Sequence, residues 1–149
     1  MALADLISSE VVKVPLQSKN KTDVIKELIE VLKDSGRIKE IEAAYNAVIA
    51  RENLSSTGLE EGIAVPHAKT TAVQTLAMAL GIAPGGVDFN ALDGKPSYIF
   101  FLMLAPPDQP GPHIEALSEI ARITKSKAFC NLLINAKSSA EVVELFREE

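Results

Sequence analysis

Apolar positions recur at helical spacing early in the chain. Val24, Ile25, Leu28, Val31 and Leu32 follow the three-and-four rhythm that puts side chains on one face of an α-helix. Asn20 suits the N-cap of that helix, Asp23 suits its positive end and Gly36 suits its stop. A second amphipathic helix is predicted from about Glu40 to Arg51, burying Ile41, Ala44 and Val48. Ahead of these, residues 2–8 predict a short helix, and Val11 to Val14 predict a strand ended by Pro15.

The rhythm is lost after Arg51. Residues 52–71 have no regular period and hold Ser, Thr, Gly and Pro, the make-up of a long functional or disordered loop. Ile63-Ala64-Val65 predicts a short strand within it. Thr75 to Ile82 alternates large with small residues, which predicts a strand with one bulky and one tight face. Pro84-Gly85-Gly86 and Leu92 to Pro96 predict turns. Ser97 to Leu104 is apolar on both faces, as in a central strand covered twice. Pro106 to Pro112 is expected to break all regular structure. Helices are predicted from His113 to about Lys125, from Ala128 to Ile134 and from Ser138 to Phe146, with Ser138 or Ser139 as the last cap. Helices at both ends and a doubly covered strand between them imply one α/β domain over residues 1–149, layered helix/sheet/helix.

Composition narrows the function. The 149 residues are 47% hydrophobic and 23% charged, ordinary for a globular domain, and the formal net charge is −5. Nucleic-acid binding leaves a basic footprint, which is missing here, and anionic lipid would repel this surface. Tyr98 to Ala105 is the longest apolar run, far below the ~20 residues of a membrane span. The start, MALADLISSE, has no basic region followed by an apolar run, so a cytoplasmic protein is the expectation. Cys130 is the single cysteine, in a helical stretch where a small buried side chain is the plain reading.

Two histidines carry most of the candidate chemistry. His67 follows Val65-Pro66, where Pro66 stiffens a short extended segment and the small Ala68 leaves room. Its imidazole either hydrogen-bonds a turn or serves as a neutral nucleophile near pH 7. His113 opens the helix after the proline-rich loop, as an exposed first residue or as part of an anion site at the helix end. Arg51 is either a solvated arginine at a helix C-terminus or an oxyanion partner. Ser55-Ser56-Thr57 form a turn or donate hydroxyls to an oxyanion. The histidines lie far apart in sequence with no partner at metal-ligand spacing, so no metal is expected. There is no G-x-S-x-G elbow, P-loop or G-x-G-x-x-G.

Together these residues resemble a known family. Arg51-Glu52, then Ser56-Thr57-Gly58-Leu59, then Gly62-Ile63-Ala64-Val65-Pro66-His67-Ala68 resemble the signature of type 2 enzyme IIA domains. These belong to the bacterial phosphoenolpyruvate-dependent sugar phosphotransferase system, in its fructose, mannitol and nitrogen-regulatory branches. Asp88 to Pro96 resembles the family's middle segment, and His113 to Ala121 its second-histidine helix, so the likeness covers nearly the whole chain.

The resemblance implies a mixed sheet sandwiched by helices. It implies that His67 is the phosphorylated histidine, His113 the second active-site histidine and Arg51 the contact to the phosphoryl group. Thr57 lies in the signature as a supporting residue, and Glu61 falls where some members carry an acid near the histidine. It further implies a donor, the histidine phosphocarrier protein HPr, and an acceptor, a cysteine or histidine of a IIB component. The nitrogen-regulatory branch instead binds and regulates partner proteins according to its phosphorylation state. No cofactor is implied. An apolar patch is expected around the site for docking. One departure is Glu60, where the family usually has Gly or Ala. A bulky acid there is expected to alter the loop or repel an acidic partner.

Overall fold

A computed structural model describes residues 3–148. The N-terminal helix predicted over residues 2–8 is two 3₁₀ turns, Leu3–Leu6 and Ser9–Val11, and Ala2 lies outside the described residues. Strand β1 is only Val12–Lys13. Helix α1, Lys21–Asp34, matches its sequence pattern. The Asn20 side chain accepts the Asp23 backbone N–H at 3.0 Å, which satisfies one of the free donors of the first turn. Val24, Ile25, Leu28, Ile29 and Leu32 are fully buried, and Val31 is only partly so. Helix α2, Glu42–Leu54, begins later and ends later than its pattern predicts, so Arg51 lies inside its last turn.

The irregular segment holds two strands. These are β2, Ile63–Ala64, and β3, His67–Lys69. Strand β4 is Ala77–Val87 and β5 is Ser97–Ala105. The five strands form one mixed sheet in the order β1-β4-β5-β2, with β3 also on β5. β2 and β3 lie end to end along the same edge of β5, both parallel to it, in registers Ile63↔Ile99 and His67↔Met103. β4 runs antiparallel to β5. The turn expected at Pro84-Gly85-Gly86 is instead an irregularity within β4, between Ile82 and Val87, with Gly86 at φ +79°. The extra residues bulge outward and the ladder resumes at Val87↔Ser97.

Each face of the sheet has its own core. Ala77, Ala79, Phe100, Leu102 and Leu104 face α1 and α2. Met78, Leu80, Ile82, Ile99, Phe101 and Met103 face the C-terminal helices. The tight face of β4 has a clear cause. A Cβ on Gly81 would lie 2.9 Å from the side chains of Leu16 and Leu28. β5 is buried on both faces, and each large side chain there contributes about 1.5–3 kcal/mol of burial.

The proline-rich segment differs from its expectation. Helix α3 is Pro110–Ile123, so it starts inside the segment predicted to break structure. Proline is tolerated in a first turn because the N–H groups it lacks would have no intrahelical acceptor. His113 is therefore the fourth residue of the helix and not its first. Helices α4, Lys127–Ile134, and α5, Ser139–Arg147, complete the layer, capped by Ser126 and Ser138. The architecture is the three-layer α/β/α sandwich with a central mixed sheet.

Candidate active site

The two histidines meet on one face of the sheet. Their ring centroids are 5.0 Å apart with 44° between planes. Strand parity explains the meeting. Ala68 packs into the α1/α2 core, so its neighbours His67 and Lys69 point to the opposite face, where α3 lies. The edge is pinned at Pro66, whose carbonyl accepts the Met103 N–H at 3.0 Å.

His67 has a defined tautomer. Its Nδ1 lies 2.7 Å from the Val65 carbonyl oxygen. A carbonyl only accepts, so Nδ1 carries the proton and Nε2 keeps the free lone pair. The ring is half-buried, open enough for a partner to reach.

His113 is held differently. It is only 6% exposed, which excludes the exposed first residue among its two sequence readings. Its Nδ1 is enclosed with no hydrogen-bond partner. Burial, followed by the charges of His67 and Lys69, lowers its pKa below the ordinary histidine value. The ring is thus neutral near pH 7. The helix end adds less than expected, because Pro110 and Pro112 carry no N–H to offer an anion. Ile114, the next residue, is 60% exposed and supplies apolar surface beside the pair.

Arg51 is half-buried on α2, which packs against β3. Its Nη1 donates to the Ser55 carbonyl at 2.8 Å, so the guanidinium already holds the start of the loop leading to β2. Thr57 is buried, and its hydroxyl donates to Glu52. That hydroxyl is used inside the fold and is not free for an oxyanion. Glu61 is not beside His67. Gly62 O accepts the Ile99 N–H, whereas Pro66 O accepts the Met103 N–H. Four strand residues separate these points, about 13 Å. Glu61 instead occupies a tight turn at φ +62°, its N–H donating to Asp93 at 3.2 Å. Glu60 sits in the same turn, exposed, but left-handed backbone falls on Glu61 and Gly62. The side chain at position 60 therefore meets no strain that glycine would relieve.

Two residues escaped the sequence reading. Lys69 shares the face of His67, is exposed and brings a cation to the pair. Strand alternation from His67 is the signal that finds it. Glu52 lies in the Arg51-Glu52 part of the signature, which gives it no role; it is a buried carboxylate paired with Lys21 at 2.8 Å. Cys130 is buried, with its thiol donating to Thr124 O, and burial raises its pKa, as suits an inert side chain. Among the described residues, no three His, Cys, Asp or Glu side chains gather as metal ligands would, and no helix is long and apolar enough to cross a membrane.

Known proteins share this fold and much of this sequence. The family model for the "Phosphoenolpyruvate-dependent sugar phosphotransferase system, EIIA 2" matches residues 5–149. A fructose-specific EIIABC component of Bacillus subtilis is 34% identical over 99% of this chain, which spans only 23% of that protein's length. A nitrogen regulatory protein of Klebsiella oxytoca is 30% identical over 99% of this chain and 91% of its own. The crystal structure of nitrogen regulatory protein IIA-Ntr from Neisseria meningitidis superposes with a TM-score of 0.87 at 27% identity, covering 97% of this chain and 98% of that one. With its histidine pair on a helix-covered mixed sheet, the chain belongs to the type 2 enzyme IIA family of the phosphoenolpyruvate-dependent sugar phosphotransferase system.

Proposed function

We infer that this protein is a cytoplasmic phosphocarrier that accepts a phosphoryl group on Nε2 of His67 from the histidine phosphocarrier protein HPr. It passes that group to a IIB component for sugar uptake of the fructose or mannitol type. The observation that carries this reading is the His67 ring, its Nδ1–H on the Val65 carbonyl and its Nε2 free, 5.0 Å from the neutral ring of His113.

The chemistry balances without a proton transfer on this chain. The Nε2 lone pair attacks phosphorus, and the donor's P–N bond breaks with its electron pair returning to the donor nitrogen. On onward transfer the Nε2–P bond breaks and its electrons return to Nε2. The ring leaves as the same neutral Nδ1–H tautomer, because the proton stays on Nδ1, which donates to the Val65 carbonyl throughout. Transfer of this kind passes through a loose state with charge on the equatorial oxygens, so positioning and charge stabilisation are the protein's main tasks. Lys69 is the cation on the face of His67 for that charge, the family resemblance assigns Arg51 the same task, and neutral His113 offers a ring nitrogen to a phosphoryl oxygen. Docking needs only a modest interface, since a relay must release its partner.

A second reading also has support. Two proteins named as nitrogen regulatory match nearly the full chain. In that role the phosphorylated and free forms would bind different regulated proteins. Intact-protein mass spectrometry after incubation with phosphoenolpyruvate, enzyme I and HPr tests the carrier step. One phosphoryl group gained and removed by brief acid is the expected result, and no gain with active upstream carriers rejects it. Adding a purified fructose-type IIB separates the two roles: discharge of the label supports transport, and retention supports regulation.

A further inference from the structure

Glu52 poses a physical question. Its carboxylate is 6% exposed, and burying an ionised group is costly unless it is fully paired. A buried ion pair is weak evidence of stability, since apolar residues of similar volume often serve as well. Its partners show what else it does. Oε2 meets Lys21 Nζ at 2.8 Å and accepts the Thr57 backbone N–H at 2.8 Å, while Oε1 accepts the Thr57 hydroxyl. Both donors of one loop residue therefore converge on one carboxylate.

From Thr57 the bonds lead to the nucleophile. The Thr57 carbonyl accepts the Val65 N–H at 3.0 Å, and the Val65 carbonyl accepts His67 Nδ1–H at 2.7 Å. Pro66 matters here. It has no N–H, so the Val65–Pro66 peptide that presents this carbonyl has no donor of its own to anchor it. The Val65 N–H on Thr57 is the anchor on the preceding side. Arg51, the residue before Glu52, holds Ser55 O in the same loop.

We propose that Glu52 is a positioning residue for phosphoryl transfer: through Thr57 and Val65 it orients the His67 ring and selects the tautomer that leaves Nε2 free. This rests on the reading of His67 as the phosphoryl acceptor. A misplaced nucleophile loses rate on the order of 10²-fold.

The test uses the full chain in three variants, Thr57→Val, Thr57→Ser and Glu52→Gln. Histidine ring ¹⁵N shifts of the unphosphorylated protein report the His67 tautomer, and this readout needs no phosphoryl donor. Thr57→Val and Glu52→Gln are expected to populate both tautomers of His67. They are also expected to lower kcat for phosphoryl acceptance, on the order of 10²-fold, with KM for the donor little changed. Thr57→Ser, which keeps the hydroxyl, is expected to restore both. If Glu52→Gln fails to fold, the Val/Ser pair at position 57 decides alone. A lower Tm with tautomer and kcat unchanged overturns the proposal and leaves Glu52 a stability element. Tautomer mixing in Thr57→Val, with no phosphorylation even of the unaltered chain, upholds the positioning and rejects the relay.

Discussion

The two histidines sit 5.0 Å apart in opposite circumstances. His67 lies on a strand edge with Nδ1 bonded, its neighbours docked on β5 and its ring partly open. His113 lies inside a helix, closed from solvent, with Nδ1 unpaired. On the phosphocarrier reading proposed above, the difference separates two jobs. A nucleophile must have one lone pair in one direction, which a short bond to a fixed carbonyl ensures. A group that answers a change of charge must be sensitive to it, and a buried, under-satisfied imidazole is sensitive because little else stabilises its charged form. A dianionic phosphoryl group on His67 would supply that stabilisation.

Removing either ring breaks this contrast in a different way. His67→Ala is expected to abolish phosphoryl acceptance, read by intact mass, while the fold survives in circular dichroism. Normal labelling of that variant would refute the site. His113→Ala is expected to slow onward transfer to a IIB component on the order of 10²-fold and to slow acceptance less. Equal slowing of both steps in single-turnover assays would deny His113 its separate role.

The pH dependence of stability sharpens the comparison. The His113 pKa is lowered in the folded chain, so the unfolded chain binds more protons below about pH 6.5. The contribution of this residue to stability is therefore level above about pH 6.5 and declines as pH falls from there towards the folded pKa. Tm measured from pH 8 to pH 5 is expected to fall less in His113→Gln than in the unaltered chain. Parallel curves would show that His113 does not drive the change.

The smallest effect belongs to the other end of the same sheet edge. Glu61 adopts φ +62° in a turn beyond β2. Glu61→Gly is expected to raise stability by up to about 1 kcal/mol by relieving that backbone, with labelling of His67 unchanged. A large loss of labelling would mean that the turn reaches the site despite the ~13 Å of strand between them.

How far each element was legible depends on where its cause lies. α1 could be read almost residue by residue, since Asn20, Asp23 and the buried stripe to Leu32 act within a few residues of one another. The two faces of β4 and the double burial of β5 were equally plain, because period two is a local pattern. The start of α3 was not, because proline both breaks helices and begins them, and neighbouring packing chooses. The passage of β4 through Pro84-Gly85-Gly86 was likewise hidden, as only β5 alongside can resume the ladder.

The site divides in the same manner. His67, His113 and Arg51 stood out by residue type and motif, and parity along β3 brings His67 and Lys69 to the side of α3. That His113 is buried, that Thr57 spends its hydroxyl on Glu52 and that Glu61 lies away from His67 were matters of tertiary structure alone. Sequence by itself determined α1, the two faces of β4 and β5 and the chemical types of the candidate site residues, since periodicity and side-chain chemistry are properties of short stretches. Tertiary structure decided which polar atoms are satisfied, which are orphaned and which way a lone pair points. Those depend on partners such as Lys21 and Glu52, or Val65 and Thr57, that only the closed fold brings within hydrogen-bonding distance.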